Sequence, residues 1–341
     1  MAVFTSNPVI GVDVSKWQYS MDVPLLLQAG VKVFIVKIGE NGVLDTGFYK
    51  HAQNIAKYTT QGAILMAYYW DDIITSSANQ TDWLIKEVNK SGLPIKFVWL
   101  DDEQWWTNWG IWQKAMNETI PWSSVPAATT TNISTHFQTT YNSLVNAIGK
   151  DKCGIYVNKS FCDGHSPEMA TWLAAENVNL WIAYYANQSQ PSVVTKMTWQ
   201  TWRTTYFPNY TPPLPTGCAY INMRGHQCTG DKCQVPGIYS NIFKQLSPSD
   251  INVLDGIWLD KLMGVTPVPP IPPVPIPAYI SYKTTVTVNV RSGMADTDPI
   301  IGTIPANTIV TGENPAVINS TRTHILTPLK GSVSSIYLIK I

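Results

Sequence analysis

Two short acidic stretches carry the residues best suited to chemistry. Asp13 closes the apolar run Val9-Ile10-Gly11-Val12, and Asp101-Asp102-Glu103 closes Phe97-Val98-Trp99-Leu100. Side chains alternate along a strand, so Asp101 and Glu103 share a face, with Cα atoms about 6.7 Å apart, while Asp102 points the other way. Carboxyls that close disfavour joint ionisation, which raises one pKa and leaves a general acid near neutral pH. Glycosidic bond cleavage needs this equipment: one carboxylic acid protonates the leaving oxygen while a carboxylate stabilises the oxocarbenium-like centre. A solvated acidic loop or a calcium site would use the same triplet. The following Gln104-Trp105-Trp106 favours catalysis, because aromatic walls desolvate an acid and stack against sugar rings.

These acids need a scaffold that brings strand ends together. The runs at 9–13, 31–36, 63–68, 97–101, 154–157 and 180–184 read as buried strands, and the amphipathic stretches 77–90 and 133–149 read as helices, stopped by Ser91-Gly92 and by Gly149. Strand and helix alternating over about 260 residues predict a parallel α/β barrel, an irregular TIM-like fold whose chemistry sits at the C-terminal strand ends. Tyr68, Trp70 and Tyr185 fall at such ends and are candidate sugar-binding residues, with core packing as the competing use.

Composition bounds the partner. The 341 residues include 23 basic and 23 acidic side chains, a formal net charge of zero, and no basic cluster. That excludes a partner gripped through phosphate charge, as nucleic acid is. The 14 Trp, 16 Tyr and 8 Phe are the unusual feature; they suit either sugar stacking or a Trp-rich core. No apolar run reaches the roughly 18 residues that span a bilayer. The first residues lack a charged and then apolar leader, so the expectation is no signal peptide and either release from a host cytoplasm at lysis or a non-classical export route. The odd set Cys153, Cys162, Cys218, Cys228 and Cys233 does not read as a disulfide framework. His226, Cys228 and Cys233 could suggest zinc, but with no Cys-x-x-Cys pair the expectation is no metal and no cofactor.

Seven of the eleven residues from Pro267 to Pro277 are proline. This stretch predicts a polyproline II spacer about 34 Å long, although prolines also bind SH3-type partners. It divides the chain into residues 1–264, a linker 265–278 and residues 279–341. In the C-terminal region Thr285–Arg291, Ile300–Ile304, Thr308–Thr311 and Tyr337–Ile339 read as short strands of a small antiparallel barrel. Its five basic residues against three acidic ones give it a net charge of +2, balanced by −2 on residues 1–264.

Gly11-Val12-Asp13-Val14-Ser15-Lys16-Trp17-Gln18, Val98-Trp99-Leu100-Asp101-Asp102-Glu103 and Leu180-Trp181-Ile182-Ala183-Tyr184-Tyr185 resemble motifs of the family-25 glycoside hydrolases, lysozymes of the bacterial and phage muramidase type. Gly62–Trp70 and Gly154–Asn158 fit their expected places between them, so the resemblance spans about residues 9–185. It implies hydrolysis of the β-1,4 bond between N-acetylmuramic acid and N-acetylglucosamine in peptidoglycan, with Glu103 as general acid and Asp101 and Asp13 as supporting carboxylates. A further family aspartate follows a Val-Pro-Gly-Ile motif. Here Val235-Pro236-Gly237-Ile238 is present, but the matching Asp250-Ile251-Asn252-Val253-Leu254 comes only after an apparent insertion. The resemblance gives Asp250 that role, against helix capping after Ser247-Pro248-Ser249.

The family's Trp-Gln-Tyr strand has two candidates, Trp199-Gln200-Thr201 and His226-Gln227-Cys228. The second sits better before Val235, which makes Gln227 a substrate-binding candidate. Residues 104–132 look longer than usual for the family and hold Trp105, Trp106, Trp109, Trp112 and Trp122. Trp105, Trp109 and Trp112 have helical spacing, which favours packing, yet Trp105 beside the acids is a candidate sugar platform. Val288-Asn289-Val290-Arg291-Ser292-Gly293 resembles the signature of bacterial SH3-like wall-binding modules. Together these readings predict a wall-lytic enzyme of the endolysin kind, with a catalytically silent wall- or glycan-binding protein as the alternative. A chitinase of the other common barrel class is excluded, because its Asp-x-x-Asp-x-Asp-x-Glu motif would put Asp where Trp99 stands.

Overall fold

Each apolar run of the first 264 residues becomes a strand whose side chains are buried on both faces, as parallel strands under helices must be. The computed structural model describes residues 7–185, 197–199, 202–203, 211–265, 279–313, 322–326 and 328–341. Two compact units result, divided between Pro267 and Val268; most of the expected linker lies outside the described residues.

In the first unit β1 (Pro8–Val14), β2 (Val31–Glu40), β3 (Ile64–Trp70), β4 (Val98–Asp101), β5 (Cys153–Val157), β6 (Leu180–Ala183), β7 (Met223–Tyr239) and β8 (Leu246–Asp255) pair in chain order. β1 closes the barrel by pairing with both β2 and β8. Among these eight strands every pairing is parallel except those of β8, which runs antiparallel to β7 and β1. The irregularity follows from the connection: only residues 240–245 separate β7 from β8, too few for a crossover helix, so the chain turns back as a hairpin.

Helices α1 (Val23–Gln28), α2 (Phe48–Ala56), α3 (Ser77–Ser91), α4 (Trp109–Met116), α5 (Thr130–Ile148), α6 (Lys159–His165), α7 (Pro167–Glu176) and α8 (Gly256–Leu262) accompany these strands. The two expected helices are α3 and α5. Gly92 and Gly149, at φ 61° and 92°, end them in conformations an L side chain resists. Thr129 Oγ1 caps α5 by accepting from Asn132 N at 3.2 Å.

Two apolar layers hold this unit. One lies between strands and helices, with Val12, Phe34, Leu65, Leu100 and Phe137 in it. The other fills the barrel, where Phe97, Trp99, Trp181 and Trp258 pack ring against ring with Met66 among them. Space for Trp99 depends on Gly154, because a Cβ there would stand 2.5 Å from Trp99 Cζ3. Much of the Trp excess is therefore core, and the catalytic end must be built above it.

The second unit has β9 (Tyr279–Thr284), β10 (Val288–Arg291), β11 (Ile300–Ile304), β12 (Ile309–Glu313), β13 (Arg322–Ile325), β14 (Gly331–Ser334) and β15 (Leu338–Lys340). They form two antiparallel sheets, ordered β12-β9-β15 and β11-β10-β14-β13, around Tyr282, Val288, Val290, Ile304, Val310, Ile325 and Val333. The expected strand 285–291 is shorter than its alternation suggested: the chain bends at 285–286 and passes from one sheet to the other.

Candidate active site

Carboxylates gather at the C-terminal end of the barrel strands. Asp13 of β1 stands directly across from Asp250 of β8 in antiparallel register. Asp250 is thus inside a strand, and the helix-capping use is wrong for it; Asp255 caps α8 instead, accepting from Ile257 N at 3.0 Å. Asp101 ends β4, and Glu103 follows two residues later.

Asp13 is 5% exposed, and its Oδ2 accepts from Asn252 Nδ2 at 2.7 Å and Gln227 Nε2 at 3.1 Å. The other end of the Gln227 amide, Oε1, accepts from Tyr156 OH at 2.7 Å and from Tyr185 OH. Trp181 Nε1 in turn holds Asn252 Oδ1 at 2.8 Å. Gln227 therefore belongs to the site, and of the two candidate strands it is the one with a described glutamine there; Gln200 lies outside the described residues while Trp199 packs in the core.

Charge in this enclosure is costly. Burial pushes Glu103 up to about 7, opposed by the nearby Lys37 ammonium. Asp101 is held well above the carboxylate range by burial and by the Glu103 charge, with Lys37 again opposing. Its Oδ1 is buried without a hydrogen-bond partner, which suits a neutral acid. The pair keeps a proton at neutral pH, the division of labour that general acid catalysis requires. Tyr68 and Tyr185 are both pushed up by burial and by surrounding carboxylates, Asp13 and Asp250 among them, so both keep their hydroxyl protons, that of Tyr185 going to Gln227.

Beside Glu103 opens a groove of about 340 Å³ lined by the rings of Trp70, Trp105, Trp106, Trp112, Trp122 and Phe161 and by the polar Asn158, Ser160 and His165. Gln104 fixes the corner, accepting from Trp70 Nε1 at 3.2 Å and donating to Asp72 Oδ1 at 3.0 Å and to Trp106 O at 3.1 Å. The helical grouping of Trp105 with Trp109 and Trp112 is corrected. Only the latter two are in α4, which Asn108 caps, and Trp105 precedes it in extended chain where Trp106 bridges to Ala127. Trp106 takes its place in the stack, 4.5 Å from Trp112, while Trp105 stacks on His165 at 4.6 Å.

Asp102 points away from the cluster, as alternation requires. It is wholly buried behind β4, with neither carboxylate oxygen partnered, and burial together with Asp71 and Asp101 pushes its pKa well up. Asp71 lies nearby, its Oδ1 2.9 Å from His136 Nε2 and 3.0 Å from Gln80 Nε2.

Lys37, Gln104, Tyr156 and Asn252 escaped the sequence reading. Asn252 was findable, because it lies two residues from Asp250 and so on the same strand face. Lys37 was not, because β2 continues to Glu40, four residues past the apolar run that signalled it. No cluster of His, Cys, Asp or Glu able to hold a metal occurs among the described residues. Cys228 Sγ lies 3.5 Å from His226 Nδ1, and all five cysteines are free thiols.

The sequence model of glycosyl hydrolases family 25 matches residues 12–208. No curated protein sequence matches the chain. Among solved structures, the CTP1L endolysin aligns with a TM-score of 0.50 and 20% identity over 76% of this chain and 71% of its own. The bacterial lysozyme from Streptomyces coelicolor aligns with a TM-score of 0.50 and 16% identity over 76% of this chain and 100% of its own. At such identities the likeness concerns the fold.

Proposed function

The chain belongs to glycosyl hydrolases family 25, and from that membership we propose that its barrel is an N-acetylmuramidase, a lysozyme that cuts the β-1,4 bond between N-acetylmuramic acid and N-acetylglucosamine in the bacterial wall. The observation that carries this reading is Glu103, a carboxyl pushed up to about 7 at the mouth of an aromatic groove, beside a second buried acid.

Glu103 donates its proton to the glycosidic oxygen as the bond breaks. Asp101, Asp13 and Asp250 face the sugar that acquires positive charge, where Asp13 is oriented by Asn252 and Gln227. Tyr68 donates to the sugar or its acetamido group, Tyr185, whose proton goes to Gln227 Oε1, offers its oxygen as an acceptor, and Trp70 and Trp105 form the apolar wall. Residues 279–341 act as a wall anchor of SH3-like type, and their net positive charge suits an anionic wall.

Purified bacterial walls incubated with the protein test the reading. The wild type should release new reducing ends of N-acetylmuramic acid, and Glu103→Gln should release almost none. Release of free amino groups instead, or intact walls, overturns it.

A further inference from the structure

The groove beside Glu103 is built differently from the carboxylate cluster. Four of its rings, Trp105, Trp106, Trp112 and Trp122, come from one segment, residues 105–122, which leaves the barrel after Glu103 and returns before α5; Trp70 and Phe161 add to them. Stacked rings make that segment rigid: Trp106 on Trp112 at 4.5 Å, and Trp109 on Trp112 at 4.8 Å. Ala115 and Val125 are buried against this stack, so the segment has a small core of its own. Trp122 remains 49% exposed at the groove, with its ring 6.4 Å from that of Trp105.

The lining also carries polar groups. Asn158, Ser160 and His165 belong to the start and end of α6. Asn158 Oδ1 accepts from Phe161 N at 2.7 Å, so its Nδ2 is the group able to donate to a ligand. Flat rings together with hydroxyl and amide groups in one groove match a pyranose ring, which has an apolar face and a polar edge. Charge selects among sugars. Glu103 is the one acidic side chain lining the groove, and it is the proposed proton donor, whereas Asp13, Asp101 and Asp250 lie outside it.

We propose that residues 105–122 form a platform for the leaving-group half of the glycan, with Trp122 stacking on an N-acetylhexosamine at least one unit beyond the cleaved bond. This rests on the muramidase reading and deepens it. The acid stands between two compartments: the carboxylates hold the sugar that becomes cationic, and the groove holds the sugar whose oxygen receives the proton.

Trp122→Ala tests the platform, because an exposed ring can be removed without opening the barrel core. Soluble peptidoglycan oligomers extended stepwise at the reducing end serve as substrates, and wild-type release of new reducing ends from walls is the control for the underlying reading. Loss of one stacking contact should raise KM about threefold to tenfold on the longer oligomers and leave kcat nearly unchanged. Oligomers too short to reach Trp122 should show no change. Binding of the longest oligomer to Glu103→Gln and to Glu103→Gln/Trp122→Ala, by calorimetry, should differ by the same factor. Equal KM at every length, or equal binding by the two proteins, overturns the platform while leaving the muramidase reading intact if wild type still cuts walls. A wild type that cuts nothing overturns both.

Discussion

Asn252 donates its side-chain amide to Oδ2 of Asp13 at 2.7 Å across the strand pair that closes the barrel. The contact is diagonal, since the register partner of Asn252 is Gly11 and that of Asp13 is Asp250. Asn252 and Gln227, which each donate to Asp13, come from the irregular end of the barrel, β8 and β7. The antiparallel return of β8 thus has a chemical consequence: it delivers an amide and a second carboxylate to the end of β1. Replacing Asn252 by Ala should free the Asp13 carboxylate to turn. A hydrogen bond to a charged group contributes about 1.5–3 kcal/mol, so kcat should fall about tenfold to a hundredfold. KM should move little, and the near-ultraviolet circular dichroism should match wild type. An unchanged kcat would remove Asn252 from the machinery.

Glu103 must be protonated to act, so kcat/KM should decline as pH rises through about 7. Lys37 lowers the pKa of both Glu103 and Asp101. Removing its charge lets each carboxyl keep a proton longer. Lys37→Met should therefore move the alkaline limb of the pH profile to higher pH. A shift to lower pH would mean that the limb belongs to another group. Lys37 also lies 5.3 Å from the Trp70 ring centroid, so the KM of this variant should rise as well.

Asp102 gives a stability prediction with a definite sign. Its folded pKa is raised well above the ordinary value, so over the interval between the two the folded chain holds a proton that the unfolded chain has lost. Stability must then fall as pH rises from about 4 towards the folded pKa. Asp102→Asn removes that proton linkage. In urea unfolding at a series of pH values, the variant should gain on wild type by at most about 1.4 kcal/mol per pH unit across this window. A parallel pair of curves would show that Asp102 does not titrate with folding.

The barrel was legible because buried parallel strands are nearly continuous apolar runs, and the runs at 31–36, 97–101 and 154–157 lie within or against β2, β4 and β5. Asp101, Glu103 and the outward turn of Asp102 were legible from alternation alone. Trp105 misled because a spacing of four and three matches a helix whether or not the chain is helical; Asn108, which starts α4 three residues later, was the better boundary signal. Gln227 and Asp250 needed the resemblance, since their contacts with β1 join positions more than two hundred residues apart, and no local pattern encodes such a pairing.

The proposed anchor makes a prediction of its own. The described residues of 279–341 have an apolar core of their own, with Tyr282, Val290, Val310 and Val333 in it. Removing residues 266–341 should leave the barrel folded and its kcat on short soluble oligomers unchanged. On intact walls the loss should be large, because a tether turns the second encounter into an intramolecular one and raises avidity by about 10² or more. Sedimentation with walls at rising salt separates the contributions. The full chain should bind about a hundredfold more tightly than the truncated one, and the difference should shrink with salt if the net positive charge of residues 279–341 helps hold the wall. Equal sedimentation of the two proteins would leave these residues with no anchoring role.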